Sequence, residues 1–304
     1  MSILCIGQAV YDITFPVDTP IVENQKYRIP QRIECMGGPA ANAAYLCALW
    51  GSRTSLITRI GNDLFGKKIL EQLESAGVDA TSLKVDEQLA TSISSIIVNQ
   101  ENGHRTILNT PLPPENYEPA WPAHSPDVIL MDGYEKECAL QAFQKYPTAI
   151  TLMDAGTFKP ELLDIIKAVD YLVCSKDFAY QYCGIAIDMN HKETWRDTFS
   201  KLEKINPNTI VVTLGSDGAM YKKEDTIYYI PAFRADTVDT TGAGDIFHGA
   251  FAYCLENHFS LKDTVRIASL AASISVETLG GQLSIPSLES VRNKRDELGL
   301  EMDI

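Results

Sequence analysis

The 304-residue chain has no uninterrupted apolar run approaching the about 18 residues that a membrane-spanning helix requires. Positive charge is scarce. The 26 Lys+Arg stand against 40 Asp+Glu, and the resulting formal charge of −14 repels nucleic acid and anionic membrane surfaces. Any phosphate the protein binds therefore needs a local device, either oriented backbone amides or a metal ion. The seven cysteines (Cys5, Cys35, Cys47, Cys138, Cys174, Cys183, Cys254) are odd in number and include no Cys-x-x-Cys pair. Reduced, buried thiols are expected, in place of a disulfide framework or a zinc site. No His-Glu-x-x-His occurs among the five histidines. The opening "MSILCIGQAV" carries no cationic leader and too short an apolar stretch for a signal peptide, so a cytoplasmic location is expected, with neither nucleic acid nor membrane as partner.

What is present is an alternation. Short apolar runs at Ile3–Ile6, Ser55–Ile60, Val128–Met131, Ile150–Met153, Tyr171–Cys174 and Ile210–Leu214 are bounded by turn residues. Between them lie segments of helical spacing, among them Ala40–Trp50, Lys67–Ala76 and Glu137–Lys145. This order predicts a mostly parallel sheet covered on both faces, with ligands beyond the carboxyl ends of the strands. Two stretches interrupt it. Asp12–Cys35 reads as short β segments with Pro16, Pro20 and Pro30, and Ala90–Thr110 as a hairpin turning at Asn102-Gly103. No repeat, low-complexity tract or polar linker divides the chain, so one domain over 1–304 with a β appendage is expected. Two helices, Asp245–Asn257 and Leu261–Thr278, are predicted in the C-terminal third, before Gly280-Gly281.

Three glycine-rich stretches compete as phosphate cradles. "GNDLFGKKI" (61–69) has the Gly-x4-Gly-Lys frame, but Lys68 stands where Ser or Thr would ligate magnesium and Asp63 adds negative charge. A turn and helix start is the better reading. "TLGSDGAMY" (213–221) follows a strong strand, and a hairpin turn and a nucleotide contact are equally open there. "DTTGAGDIFHGAF" (239–251) lacks the last glycine of a dinucleotide fingerprint, since Phe247 occupies that place, which disfavours an oxidoreductase. It suits an anion hole. Gly242, Ala243 and Gly244 leave their N–H groups unscreened at a helix start whose dipole adds positive potential, as a phosphoryl group in transfer requires. Asp245 in the first turn is expected to be stabilised as an anion, ionised at pH 7 and able to take a proton from an attacking hydroxyl; a plain helix cap is the alternative. His248, among apolar neighbours, reads as a supporting or core histidine.

Two of these regions resemble the signatures of the ribokinase-like sugar kinases, the phosphofructokinase-B family. The first is "GGPAANAAYLCALWG" with Gly37-Gly38, Asn42, Ala44, Gly51 and then Gly61; the second is "DTTGAGDIFHGAFA". The resemblance implies a three-layer ribokinase-like α/β fold with a mostly parallel central sheet and a small β-sheet lid, formed here by inserted segments 13–36 and 88–112. It also implies ATP-dependent phosphorylation of a hydroxyl, usually a primary alcohol of a sugar or nucleoside, with Mg2+ and with K+ as a further candidate. Asp245 becomes the catalytic base, and Gly242, Ala243 and Gly244 the anion hole. Asp12, Gly37, Gly38 and Asn42 face the sugar, the two glycines by letting it approach the backbone. Asn109, Arg28 and Arg105 lie within reach of a substrate, though Arg105 fits a solvated hairpin charge better. Ser175, Thr213, Gly215 and Gly218 lie along the nucleotide. Asp239, Thr241, Ser275, Thr278, Gly280 and Ser284 enclose the monovalent cation. The lid implies a homodimer.

One departure stands out. Ser175-Lys-Asp-Phe178 replaces the family's usual Asn-x-x-Glu. Phe178 cannot organise magnesium water, which leaves Asp177 or the nucleotide itself to hold the metal, while Ser175 can still bond a phosphate. Sugar, sugar phosphate and nucleoside all stay open as acceptors, the acidic surface favouring neutral sugars. A non-catalytic nucleotide- or sugar-binding regulator is the rival reading.

Overall fold

The alternation of side chains along each apolar run decides the layering. In the strand Ser2–Ile6, Ile3 and Cys5 join the core on one side of the sheet while Leu4 and Ile6 join the core on the other. Both faces are buried, as a parallel strand covered by helices must be. The computed structural model describes residues 1–101, 104–302 and 304. Among them the main sheet has eight strands in the order Thr226–Ile230, Ala219–Lys223, Thr209–Thr213, Tyr171–Ser175, Ile150–Ala155, Val128–Met131, Ser2–Ile6, Arg53–Ile57. The last six named are mutually parallel, and the first two form an antiparallel edge. Helices Pro39–Leu49, Ala243–Glu256 and Leu261–Ser275 pack on one face. Lys136–Lys145, Lys176–Cys183 and Lys192–Leu202 pack on the other. This is the expected three-layer, mostly parallel architecture, and all seven cysteines are unpaired and buried.

A separate four-stranded sheet runs Ile33–Gly37, Val10–Val17, Ile93–Asn99, Arg105–Thr110. Pro16 is tolerated inside its strand because pairing with Ile33–Gly37 ends at Thr14, so its missing N–H faces no partner there. The expected turn at Asn102-Gly103 lies outside the described residues. The expected single strand Ser55–Ile60 divides: Arg53–Ile57 stays in the main sheet, whereas Arg59–Gly61 pairs with Lys84–Asp86 in a third, two-stranded sheet. The helix from Leu261 stops at Ser275, short of Thr278, and the carbonyl of Val276 accepts N–H bonds from Val238 and Asp239 instead. No helix among the described residues is long and apolar enough to cross a membrane.

Candidate active site

Small residues let two helices meet, and the meeting builds the site. A Cβ on Gly249 would stand 3.0 Å from Ala43 Cα, and Cys47 Sγ donates to the Gly249 carbonyl at 3.3 Å. About one turn away, Asn42 Nδ2 donates to Asp245 Oδ2 at 2.7 Å. The other amide atom, Asn42 Oδ1, is buried without a partner among the described residues. Gly242, at φ 78°, is the N-cap of the helix Ala243–Glu256, so Asp245 is not the cap; its carboxylate turns to Asn42. The N–H groups of Gly242, Gly244 and Asp245 have no acceptor among the described residues. That is the unsatisfied first turn an anion requires. Burial, and then the Asp154 carboxylate, push half-buried Asp245 up to about 6, against the pull of Asn42, His248 and Arg105. Burial thus outweighs the expected stabilisation of the Asp245 anion by the helix start.

A row of polar side chains crosses the second sheet above this point. Asp12, Ser94 and Asn109 are register neighbours on three adjacent strands. Ser94 bonds the Asp12 carboxylate, and Asn109 Nδ2 donates to Ser94 Oγ at 3.1 Å, with longer bonds to Ser92 Oγ and Ile93 O. The amide expected to reach a substrate is therefore engaged in holding the row. Asp12 is 5% exposed, and burial pushes it up to about 7 despite Ser94, with Asp245 and Asp239 adding repulsion. The two glycines also admit close protein neighbours. A Cβ on Gly37 would overlap the Asp12 carboxylate, and one on Gly38 (φ 99°) would stand 2.5 Å from the Gln8 carbonyl. Arg105 also departs from a purely solvated charge: its Nη1 donates to Thr240 Oγ1 at 2.5 Å, reaching the loop before the helix start at Gly242. Arg28 is exposed.

Two carboxylates at strand ends complete the centre, and sequence reasoning did not single them out. Asp132 follows the strand Val128–Met131 and accepts N–H bonds from Gln8 (2.8 Å), Ala40 (3.2 Å) and Tyr134 (2.9 Å). It ties the start of the Asn42 helix to the sheet, in space that a Cβ on Gly7 would fill. Asp154, near the end of Ile150–Ala155, lies 3.2 Å from His248 Nδ1, and burial with Asp132 pushes it up to about 8. The available signal was position, since acids ending parallel strands face the ligand crevice.

On the nucleotide side, Ser175 and Thr213 are register partners at the ends of adjacent strands. Ser175 caps the helix Lys176–Cys183: its Oγ accepts from Phe178 N at 3.0 Å and donates to Gly156 O at 2.7 Å. The hydroxyl expected to meet a phosphate is thus already committed. Phe178 is fully buried against Phe158, and Asp177 is exposed. Gly215 and Gly218 form the hairpin turn into Ala219–Lys223, closed by Leu214 N donating to Gly218 O at 2.7 Å. In the 61–69 stretch, Asp63 caps the helix Leu64–Ser75 and Lys68 Nζ bonds Glu34 and Tyr11, so no P-loop exists there. Just before the helix start at Gly242, buried Asp239 accepts from Thr241 N and Gly280 N at 2.9 Å each, drawing two loops together. Ser275 Oγ donates to Ala272 O and Ser284 Oγ to Gly281 O, Thr278 N bonds Ser275 O, and Thr241 Oγ1 is buried without a partner among the described residues.

Comparison with known proteins shows the family. The pattern of pfkB family carbohydrate kinases matches residues 1–288. A ribokinase from Lactococcus lactis is 29% identical over 275 residues, covering 88% of this chain and 87% of its own. A deoxyribokinase from Salmonella typhi is 26% identical over 299 residues, covering 95% and 97%. A solved structure from Agrobacterium tumefaciens superposes with a TM-score of 0.84 at 26% identity, covering 99% of each chain. The chain belongs to the pfkB family of carbohydrate kinases and is an ATP-dependent carbohydrate kinase.

Proposed function

We propose that the enzyme transfers the γ-phosphoryl group of ATP to a primary hydroxyl of a small neutral sugar, a pentose such as ribose or deoxyribose, with Asp245 as general base. One observation carries this reading. The Asp245 carboxylate, oriented by Asn42 Nδ2 at 2.7 Å, stands beside helix-start N–H groups that have no acceptor among the described residues. The hydroxyl oxygen forms the new bond to phosphorus as the bond to the bridging oxygen of ADP breaks, and the hydroxyl proton passes to Asp245. The amides of Gly242, Gly244 and Asp245 receive the charge that spreads over the phosphoryl oxygens, while the expected Ala243 amide is taken by the Thr240 carbonyl at 3.4 Å. Asp12, held by Ser94, and the unpartnered Asn42 Oδ1 accept hydrogen bonds from sugar hydroxyls, replacing those lost to water. The second sheet acts as a lid that excludes water from this exchange.

The donor set does not make a protein cage for magnesium. No group of three or more His, Cys, Asp or Glu among the described residues could hold a metal ion, and Phe178 is buried. Mg2+ would enter on the ATP phosphates and neutralise their charge. A potassium ion fits better: Asp239 and the orphaned Thr241 Oγ1 offer oxygens where two loops converge. The lid's edge strand Arg105–Thr110 is exposed throughout, Leu108 at 63%, and a second copy of the chain is the proposed cover, to be checked by light scattering in solution.

The test is ADP release with Mg2+ across ribose, deoxyribose, fructose, nucleosides and sugar phosphates, with and without K+. A neutral pentose is expected to give the highest kcat/KM. Calorimetric ATP binding with no turnover on any acceptor would overturn the reading in favour of a non-catalytic binder.

A further inference from the structure

Behind the proposed base sits a histidine whose two ring nitrogens both face oxygen atoms. His248 Nδ1 lies 2.6 Å from the Gly244 carbonyl and 3.2 Å from Asp154 Oδ2, and Nε2 lies 3.1 Å from the Val173 carbonyl. Flipping the ring does not relieve this, because Cδ2 would then overlap the Gly244 oxygen. A neutral imidazole has one N–H. Either neutral tautomer therefore leaves a ring lone pair against a carbonyl lone pair in a side chain only 3% exposed. The doubly protonated ring satisfies every contact: Nδ1–H points at Gly244 O with Asp154 beside it, and Nε2–H points at Val173 O.

We propose that His248 is a permanent imidazolium, paired with ionised Asp154, that positions and polarises the Gly244–Asp245 peptide of the anion hole. The carbonyl of Gly244 and the N–H of Asp245 belong to one peptide unit. A charged donor on that carbonyl draws electron density through the unit and strengthens the Asp245 N–H as a donor toward an incoming anion. The same positive charge favours the ionised form of the Asp245 carboxylate. This deepens the reading of Asp245 as base and rests on it, but the charge state of His248 can be measured whether or not that reading holds.

The surrounding charges are mixed. Burial alone pushes the imidazole down and Asp154 up, the directions of two neutral partners. Against that stand the two carbonyls and Asp245, which hold a proton on the ring. Asp132 repels Asp154 from the neighbouring strand end, Tyr134 lies near all three acids, and Arg105 faces Asp245 from the second sheet. The geometry decides for the charged ring, because both ring nitrogens face carbonyl oxygens and no donor among the described residues faces the ring, with Asp154 Oδ2 at 3.2 Å from Nδ1 as the counter-charge. His248 touches no reacting atom and is a positioning residue.

The experiment is 15N NMR of the histidine rings in the full chain at pH 7.5, with His248 assigned by its disappearance in His248→Gln. Both His248 nitrogens are expected in the protonated range, and Asp154→Asn is expected to return the ring to a neutral tautomer. A single neutral tautomer in the wild type overturns the proposal. The remaining four histidines are exposed, which separates their ring signals from that of buried His248. With ribose as acceptor, His248→Gln is expected to lower kcat about tenfold, leave KM for ATP unchanged and move the acid limb of kcat up by about one pH unit. A lower kcat with an unmoved limb assigns His248 a packing role only and also overturns the proposal. Loss of turnover in Asp245→Asn with a neutral His248 would leave the base standing and the imidazolium refuted. The reverse pattern would do the opposite.

Discussion

Replacing Asp12 by Asn should make the ligand-free protein more stable in a pH-dependent way, while weakening it as a sugar binder. Asp12 lies on a strand of the second sheet, 5% exposed, with Asp245 and Asp239 adding to the burial that pushes it from 3.8 to about 7. The folded protein therefore keeps this proton to higher pH than the unfolded chain does. The cost of ionising it is absent below 3.8, grows as pH rises toward 7, and is complete above that. At about 1.4 kcal/mol for each pH unit between the two values, the full cost is about 4 kcal/mol. The amide introduced by Asp12→Asn has no such proton to lose and keeps an oxygen for Ser94. The stability advantage of Asp12→Asn over wild type should grow by about 2 to 3 kcal/mol between pH 5 and pH 8. Urea unfolding of both proteins without ligand at the two pH values measures it directly. A difference that does not change with pH, or a variant less stable than wild type at pH 8, would refute the reasoning. Calorimetry on the same variant should show sugar affinity reduced at least about tenfold, since one charged hydrogen bond is weakened.

Asn42→Ala removes the one hydrogen bond that lowers Asp245, so the acid limb of kcat/KM should move up by about one pH unit; a pH–rate profile with an unmoved limb contradicts the pairing. Gly37→Ala drives a methyl group into the Asp12 carboxylate and should cost about 1 to 3 kcal/mol in thermal unfolding, together with sugar binding. Full stability in that variant would show that the two groups are not in contact. Ser175→Ala should cost about 1 kcal/mol, the value of a helix cap, and leave KM for ATP within about twofold of wild type. A large rise in KM would restore the expected phosphate contact.

Much of the fold could be read from the sequence because its strands are short, apolar and bounded, as Val128–Met131 shows by matching its expected limits. Where reading failed, tertiary pairing had decided. Nothing local in Ser55–Ile60 announces that Arg59–Gly61 leaves the main sheet to pair with Lys84–Asp86. The helix start at Gly242 with Asp245 in its first turn was legible because glycine suits the left-handed cap. Asp132 and Asp154 were not, since an acid after an apolar run gains meaning only when other strands place Ala40 or His248 against it. Ser175 could be read either way, since a serine before a helix serves equally as a cap or a ligand, and the carbonyl of Gly156, a residue remote in sequence, completes the cap. Arg105 read as a solvated charge because Thr240, its partner, is distant along the chain.

The central claim is that the Asp245 carboxylate takes the proton of the attacking hydroxyl. Single-turnover phosphoryl transfer in Asp245→Asn, followed by rapid quench with labelled ATP and the best acceptor from the panel, tests it most directly. The account predicts ATP affinity within about twofold of wild type and a transfer rate lower by about 10²-fold or more. Transfer at a rate near wild type would contradict it.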